Sequence, residues 1–357
     1  MKSIPSSRGA AFLLIAALFS GCSLIGTSEE QSASDGGSSP EQVVLVTHES
    51  FSLPKPLVRQ FENESGLDLE IRSSGDAGAL TTKLAVTRDD PTGDLAFGVD
   101  NTFASRALEE GVFDTLDVDL PAGSGDYLLP GDDGERLAPV DNAHVCVNVD
   151  TTWFEERDLA PPESLDDLTD PAYEGLFVTP SALSSSPGLA FLLSTVAAYG
   201  EDWPSYWEDL LANDALVVDG WTDAYYGDFT QGGEGGDRPI VLSYDSSPAF
   251  TVAKGSQESA TQALLDTCYR QVEYAGVLEG AANPEGAREV VEFLLSEDVQ
   301  AELPDSMYVF PVRDGVALPD DWARYAEQPE DPYALDPAQV AAERDGWLAE
   351  WRDLVTG

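Results

Sequence analysis

Aromatic and small polar side chains gather where predicted strands end, and their chemistry suits the binding of a small molecule. Aromatic faces stack on flat or cationic rings, and carboxylates pair with positive or amino groups. The turn "SSSPG" precedes a predicted helix, whose free N–H groups can hold an anion. The candidate ligand-binding residues are His48, Glu49, Ser50, Asp76, Asp100, Asn101, Ser185, Ser186, Trp221, Tyr225, Tyr244, Ser247, Phe250 and Tyr308.

Some of these aromatic residues have an equally good structural interpretation. Trp221 and Phe250 could belong to the hydrophobic core as easily as to a cleft. Tyr225 and Tyr226 are adjacent in "DAYYGD". Neighbouring residues on a helix point in different directions, so one of the two tyrosines is expected to be structural.

The sequence carries no catalytic signature. It has two histidines, His48 and His144, and neither belongs to a cluster with metal-ligand spacing. The motifs HExxH, GxSxG, GxxxxGK[ST] and CxxC are all absent from the sequence. We therefore expect a binding protein that is not an enzyme, with no cofactor and no metal site.

The elements that position the candidate residues predict an α/β fold. From "EQVVLVTHESF" to "DLAFGVDN" the chain alternates strand, helix, strand, helix, strand, which indicates a parallel sheet. Ligands of open α/β sheets lie beyond the carboxyl ends of the strands. Two long strands, "RLAPVDNAHVCVNVDT" and "CYRQVEYAGVLEG", are predicted to cross between two lobes. We expect a two-lobe clamshell in which each lobe has a mostly parallel sheet flanked by helices. Lobe 1 is residues 41–140 plus 272–312, and lobe 2 is residues 141–271 plus 313–357.

The amino terminus has the pattern of an export signal. Lys2 and Arg8 precede the short apolar run "FLLIAALFSGC", which is too short to span a membrane. Leu-x-Ser-Gly-Cys resembles the lipobox of bacterial lipoproteins, in which the cysteine is lipidated and becomes the mature terminus. We predict a signal peptide over residues 1–21, a lipid on Cys22, and a flexible Ser- and Gly-rich linker over residues 22–40. The alternatives are a plain secretory signal and a buried first helix.

The chain is strongly acidic, with 66 acidic and 18 basic residues and a formal charge of −48. Such a surface repels nucleic acid and anionic lipid, so we expect no nucleic-acid partner and membrane contact through the lipid alone. The charge is spread along the whole chain, as in proteins from saline habitats, where salt screens self-repulsion. Composition alone therefore does not define the charge of the ligand.

Two cysteines remain after the predicted anchor, Cys146 and Cys268. An even pair outside the cell indicates a disulfide, and the alternative is two separate buried thiols. Both cysteines lie in the two long strands, and antiparallel neighbouring strands would bring them within bridging distance.

Several collinear blocks from about residue 43 onwards resemble the thiamine-binding subunit of bacterial ABC importers. They are "THESF", "GVDNTFASRALEEGVF", "SSSPGLAFLL", "VVDGWTDAYYGDF", "VLSYDSSPAF", "MYVFPV" and "PAQVAAERDGWLAEWRD". The resemblance implies a monomeric, extracytoplasmic periplasmic-binding-protein fold of type II. It also implies that the protein captures thiamine or a thiamine phosphate between its lobes and delivers it to a permease.

The resemblance also implies roles for individual residues. His48, Phe250 and Tyr308 stand where the family sandwiches the pyrimidine and flanks the thiazolium, although the family often has tyrosine, tyrosine and tryptophan there. Ser185 and Ser186 match the turn that receives the hydroxyethyl or phosphate end. The residues that match the family pattern directly are Trp221, Tyr225 and Tyr244.

Related proteins of the same fold offer a different function. A ferric-ion-binding protein would need two adjacent tyrosines with a histidine and an acid, and Tyr225, Tyr226, His48 and Glu49 could supply them. Binding of a polyamine, sulfate or sugar is a further alternative, as is a thiaminase-like enzyme with a cysteine nucleophile.

Overall fold

The computed structural model describes residues 41–233 and 235–357, so the predicted signal peptide, Cys22 and the linker lie outside the described residues. Residues 40–357 fall into one unit. Within the described residues, the strands are β1 (Glu41–Thr47), β2 (Leu67–Ser73), β3 (Leu95–Asp100), β4 (Ala138–Asp150), β5 (Phe177–Pro180), β6 (Leu216–Val218), β7 (Ile240–Tyr244), β8 (Thr261–Val277) and β9 (Phe310–Pro311). The α-helices there are α1 (Lys55–Ser65), α2 (Ala77–Val86), α3 (Ala104–Glu109), α4 (Thr151–Glu156), α5 (Ser186–Tyr199), α6 (Trp203–Ala212), α7 (Pro284–Leu294), α8 (Glu297–Met307), α9 (Trp322–Tyr325) and α10 (Pro337–Thr356).

The strands form one mixed sheet in the order β2-β1-β3-β8-β4-β7-β5-β6, with β9 paired to β4. At one end, β1 lies parallel to both β2 and β3, and at the other end β5 lies parallel to both β6 and β7. Helices cover the faces of the sheet, as expected where parallel strands are buried on both sides. The predicted α/β class is confirmed.

The first parallel unit follows directly from local sequence signals. Strand β1 buries its last five residues, which is typical of a strand covered on both faces. Helix α1 begins after Pro54 and ends at Gly66, whose φ of 77° suits glycine. Asp76 caps α2 by accepting a hydrogen bond from the Ala77 N–H at 2.6 Å. The loops after β1 and β2 therefore leave the sheet at the same edge.

The two crossing strands join the parallel units. Strands β4 and β8 contain 13 and 17 residues and pair antiparallel along most of their length. Strand β3 pairs antiparallel with one end of β8, and β7 pairs antiparallel with the other end of β4. A Cys146–Cys268 disulfide links the crossing strands, with Cα atoms 4.2 Å apart. This pairing is the predicted one, and it excludes two separate thiols.

The carboxyl-terminal helix contacts both predicted lobes. Trp351 of α10 packs edge-on against Trp207 of α6, with ring centroids 5.4 Å apart. Arg344 of the same helix donates a hydrogen bond from Nη1 to the Thr102 carbonyl of lobe 1 at 3.2 Å. Because the sheet and this helix are continuous across the two halves, the lobe boundaries given above stay a prediction.

Two local segments depart from regular α-helix. The segment "ESLDDLTDPAYEG" forms two short 3₁₀ helices, Asp166–Thr169 and Pro171–Tyr173. The aromatic segment after β6 forms a π-helical turn over Asp223–Asp228, and π turns redirect side chains at many functional sites. Throughout the described ranges, the helices are all too short or too polar to cross a membrane.

Candidate functional site

A cleft of about 590 Å³ opens where loops from both parallel units meet the crossing strands. Lobe 1 contributes the loop after β1 and the segment after α8, while lobe 2 contributes the start of α5, the π-helical turn and the end of β7. Strand β8 forms the floor of the cleft. The lining residues are His48, Glu49, Ser50, Phe51, Ser52, Leu53, Pro54, Asp76, Ser186, Pro187, Trp221, Thr222, Tyr226, Tyr244, Gln271, Glu273, Asp305, Ser306, Met307, Tyr308 and Val309.

Trp221 is the centre of the aromatic wall of the cleft. One ring face stacks on Tyr225, with centroids 5.0 Å apart and planes 16° apart. Its Nε1 donates a hydrogen bond to Ser243 Oγ at 2.9 Å, which fixes the ring orientation. The Tyr244 and Tyr308 rings lie 5.9 and 6.2 Å from the Trp221 ring. Trp221 is 6% exposed and lines the cleft, so it offers a ligand only the part of the indole that these neighbours leave uncovered.

Tyr308 faces Trp221 from lobe 1. It ends α8 in the left-handed region with a φ of 63°, a conformation uncommon for an aromatic residue. Its hydroxyl accepts a hydrogen bond from the Tyr226 hydroxyl at 3.2 Å. Of the two adjacent tyrosines, Tyr226 therefore lines the same wall, whereas Tyr225 does not reach the cleft.

Phe250 does not line the cleft. It lies in a single 3₁₀ turn, Ser247–Phe250, and packs edge-on against Tyr308 with ring centroids 3.8 Å apart. Its other neighbour is Trp322, at 5.7 Å. The position assigned to the ligand by resemblance is therefore a support behind Tyr308, because the turn directs this side chain away from the cleft.

Tyr225, Ser185 and Ser247 lie one layer behind the wall. Tyr225 is covered by Trp221 on one side and Phe229 on another. Ser247 Oγ contacts Ser243 Oγ at 2.8 Å and accepts from the Tyr244 N–H, so it holds the end of β7. Ser185 is fully buried before α5, whereas Ser186 reaches the cleft.

Asp100 and Asn101 do not line the cleft either. Asp100 is fully buried and accepts hydrogen bonds from the Thr102 and Phe103 N–H groups, so it closes the turn after β3. Burial raises the pKa of Asp100 to about 6. Asn101 bonds to the β8 backbone at Val272 N, 2.8 Å away, and lies in a separate cavity on another part of the surface. Asp100 ends β3 and Asn101 follows it, but both side chains form hydrogen bonds with backbone groups.

Contacts across the cleft join the two lobes directly. Asp76 Oδ2 of lobe 1 accepts a hydrogen bond from the Trp221 N–H of lobe 2 at 3.0 Å. The Ser184 carbonyl of lobe 2 accepts from the N–H groups of Gly78 and Ala79 at 3.0 and 3.2 Å. These bonds use the free N–H groups of the first turn of α2. Asp76 therefore bridges the first turn of α2 and the segment after β6.

Glu49 lies beside this bridge. A side chain at Gly220 would lie 3.3 Å from Glu49 Oε1 and 3.2 Å from Asp76 Oδ2, so a glycine lets both acids approach the turn before Trp221. Burial, followed by the charges of Asp76 and Asp223, raises the pKa of Glu49. Burial also raises the pKa of Asp76.

The floor of the cleft carries buried polar groups that sequence reasoning largely missed. Gln271 and Glu273 are 2% and 5% exposed. His48 Nε2 lies 3.5 Å from Glu273 Oε1, and burial lowers the pKa of His48 to about 4, so this histidine is neutral. The φ of Gly98 is 96°, and a side chain there would collide with the His48 ring. His48 thus presents an edge to the floor, whereas the sequence predicted a stacking face.

The iron alternative is not supported by the placement of its residues. Tyr225 lies behind Trp221 and does not reach the cleft, while Tyr226 bonds to Tyr308. The rings of the two tyrosines are nearly perpendicular, at 88°. His48 is turned towards Glu273. The two phenolates that Fe(III) requires therefore do not converge with the histidine and Glu49 on one point.

A two-lobed α/β protein with an aromatic cleft at the crossing strands belongs to the class of solute-binding proteins. The chain is a member of the bacterial extracellular solute-binding protein family, whose pattern it matches over residues 90–333. It is thus an extracytoplasmic binding protein for a small molecule, and ABC transporter components are its partners.

Individual proteins similar to this chain have more specific names than the family. A thiamine-binding periplasmic protein of Escherichia coli (strain K12) is 27% identical over 320 residues, covering 88% of this chain and 93% of the relative. A solved periplasmic thiamin binding protein superposes with a TM-score of 0.76 at 26% identity and covers 88% of this chain and 96% of that one. Iron uptake protein A1 of Synechocystis sp. is 24% identical and covers 96% of this chain and 97% of the relative.

Proposed function

We propose that this protein captures thiamine in its interlobe cleft and delivers it to the permease of an ABC importer. The observation that carries the proposal is the aromatic wall of Trp221, Tyr226, Tyr244 and Tyr308, which lines one cleft together with acidic side chains. Thiamine has a flat pyrimidine and a permanently cationic thiazolium, and both fit aromatic faces. The described lining residues include acids but neither lysine nor arginine, which favours a cation.

Calorimetry with purified protein tests the proposal. Thiamine is expected to bind, and its diphosphate is expected to bind most weakly, because the added negative charge meets Glu49, Asp76 and Glu273. Thiamine monophosphate is expected to fall between them, since the Ser186 end of α5 offers free N–H groups. Fe(III) with citrate serves as the competing ligand. Tight Fe(III) binding without thiamine binding would replace the proposal by the iron alternative.

The bridge across the cleft gives a further prediction. Asp76→Ala removes both the cap of α2 and the acceptor for the Trp221 N–H, so closure becomes less favourable. We expect thiamine affinity to fall about tenfold, equivalent to about 1.4 kcal/mol. Calorimetry measures the affinity, and small-angle scattering with saturating thiamine reports the closed fraction.

A matched control separates closure from helix capping. Asp336 caps α10 by accepting from the Ala338 and Gln339 N–H groups and lies away from the cleft. Asp336→Ala should destabilise the fold by about 1 kcal/mol without changing affinity. If Asp76→Ala behaves like Asp336→Ala, the bridge plays no part in binding.

We further propose that a lipid on Cys22 holds the protein at the outer face of the cell membrane, after removal of residues 1–21. Support comes from the sequence pattern around Cys22 and from the extracellular family. Cys22→Ser is expected to move the protein from the detergent phase to the aqueous phase in a partition assay, because only a thiol accepts the lipid. Unchanged partition of the variant would contradict the anchor.

A further inference from the structure

The floor of the cleft presents hydrogen-bonding atoms that are left without partners. Gln271 and Glu273 are two residues apart on β8 and so point to the same face. Within the described ranges, neither Gln271 Oε1 nor His48 Nε2 has a hydrogen-bond partner. All three side chains are more than nine-tenths buried, and His48, Gln271 and Glu273 line the cleft. Because buried polar groups are normally satisfied, these atoms are positioned for a ligand.

A second buried carboxyl group lies next to Glu273. Asp141 is its cross-strand neighbour in the β4–β8 pair and is 1% exposed. Neither Asp141 oxygen has a donor partner in the described part of the chain. Burial raises the pKa of both carboxyl groups well above the ordinary range. Glu273 lines the cleft beside this second buried acid.

Further acids surround the Asp141–Glu273 pair, and the only nearby base among the described residues is the neutral His48. Asp141, Asp100 and Asp76 each raise the pKa of Glu273 further, after the effect of burial. Tyr244 approaches from β7 and bonds weakly to Gln271 Nε2 at 3.5 Å. Among the described residues, no lysine or arginine forms an ion pair with Asp141 or Glu273.

We propose that the floor of the cleft forms hydrogen bonds with the amino-bearing edge of a heteroaromatic ring. Glu273 and Gln271 Oε1 accept the N–H groups of the ring amine, and His48 Nε2 pairs with the adjacent ring nitrogen. Trp221 and Tyr244 line the cleft beside the floor, with ring centroids 5.9 Å apart. In thiamine this edge is the 4′-aminopyrimidine, so the inference rests on the proposed function and orients thiamine with its pyrimidine towards the hinge strands.

A ligand pair that differs only at this edge tests the inference. The ligands are thiamine and its analogue with a carbonyl oxygen in place of the 4′-amino group. Wild-type protein should prefer thiamine, because the analogue places an oxygen against the Glu273 and Gln271 acceptors. Glu273→Leu should weaken thiamine binding about tenfold and change analogue binding much less, so the preference disappears. Calorimetry measures both ligands at one pH.

Glu273→Gln distinguishes hydrogen bonding from charge. The amide keeps an acceptor for the cleft and donates an N–H to Asp141, so most of the thiamine preference should remain. A counter-ion role would predict the opposite, an equal loss for both ligands in the glutamine and leucine variants, and that result overturns the inference. Glu279→Gln, an exposed acid just after β8, is the control for removal of one charge.

The outcomes separate this inference from the proposed function. If wild-type protein binds neither ligand, the thiamine function itself is wrong. If it binds thiamine and the preference is unchanged in Glu273→Leu, only the assignment of the floor is wrong. Should that variant fail to fold, as judged by circular dichroism, Asp141→Leu with Glu273→Leu removes both buried acids together and tests the same preference.

Discussion

Replacement of Trp221 by alanine is expected to weaken thiamine binding about 100-fold or more. The variant loses the indole face in the cleft, and Tyr244 and Tyr308 lose a ring neighbour. A stacked aromatic pair contributes about 0.5–1.5 kcal/mol and a desolvated cation–π contact about 2 kcal/mol. Together these terms correspond to about two decades of affinity at 1.4 kcal/mol per decade.

Calorimetry on Trp221→Ala, Trp221→Phe and Trp153→Ala tests this expectation. Phenylalanine keeps a flat face and should recover much of the affinity, although it lacks the Nε1 bond to Ser243. Trp153 is a partly buried tryptophan on α4 outside the cleft, so its loss should leave binding unchanged. A folded Trp221→Ala protein with wild-type affinity would show that the ligand does not use this wall.

Removal of the disulfide should reduce stability strongly and affinity little. Cys146 and Cys268 are separated by 122 residues, and closing so long a loop restricts the unfolded chain. The entropy model gives about 4.7 kcal/mol for a loop of 100 residues, and measured losses for native disulfides are about 2–5 kcal/mol. We therefore expect Cys146→Ala with Cys268→Ala to lower the free energy of unfolding by about 2–5 kcal/mol.

Urea unfolding of the double variant, beside oxidised and reduced wild type, provides the measurement. Reduced wild type should approach the double variant in midpoint, because both lack the crosslink. Thiamine affinity should stay within a few-fold of wild type, since neither cysteine lines the cleft. A loss of stability below about 1 kcal/mol would contradict this expectation and would mean that the bond restricts the unfolded chain little.

The sequence predicted the elements better than the directions of their side chains. The loop after β1 could be placed at the cleft because parallel strands end at a common edge, and the disulfide followed from two cysteines in two long strands. Glu273 and Gln271 were missed because they lie within β8, and their face depends on the β4–β8 register, which pairs Asp141 with Glu273. The available signal was a single acid among the apolar residues of "VEYAGVL", where β8 ends.

Phe250 shows a second limit of sequence reasoning. Its position after "SYDSSPA" was matched correctly to a segment beside the cleft, but the turn Ser247–Phe250 directs the ring towards Trp322. Asp100 and Asn101 failed for a similar reason, because short polar side chains after a strand also satisfy free backbone groups. The direction of such a side chain depends on contacts between residues far apart in the sequence, which hydrophobic periodicity does not reveal.

The path of β8 through the sheet also governs the order in which the protein can acquire its structure during synthesis. Strand β3 is complete at Asp100, yet its second neighbour is the end of β8, where Leu95 pairs with Val277. Until that distant segment emerges from the ribosome, the nascent amino-terminal half has an unfinished sheet edge. Long-range pairing of this kind slows folding. The amino-terminal half therefore completes its sheet only after residue 277 has been synthesised.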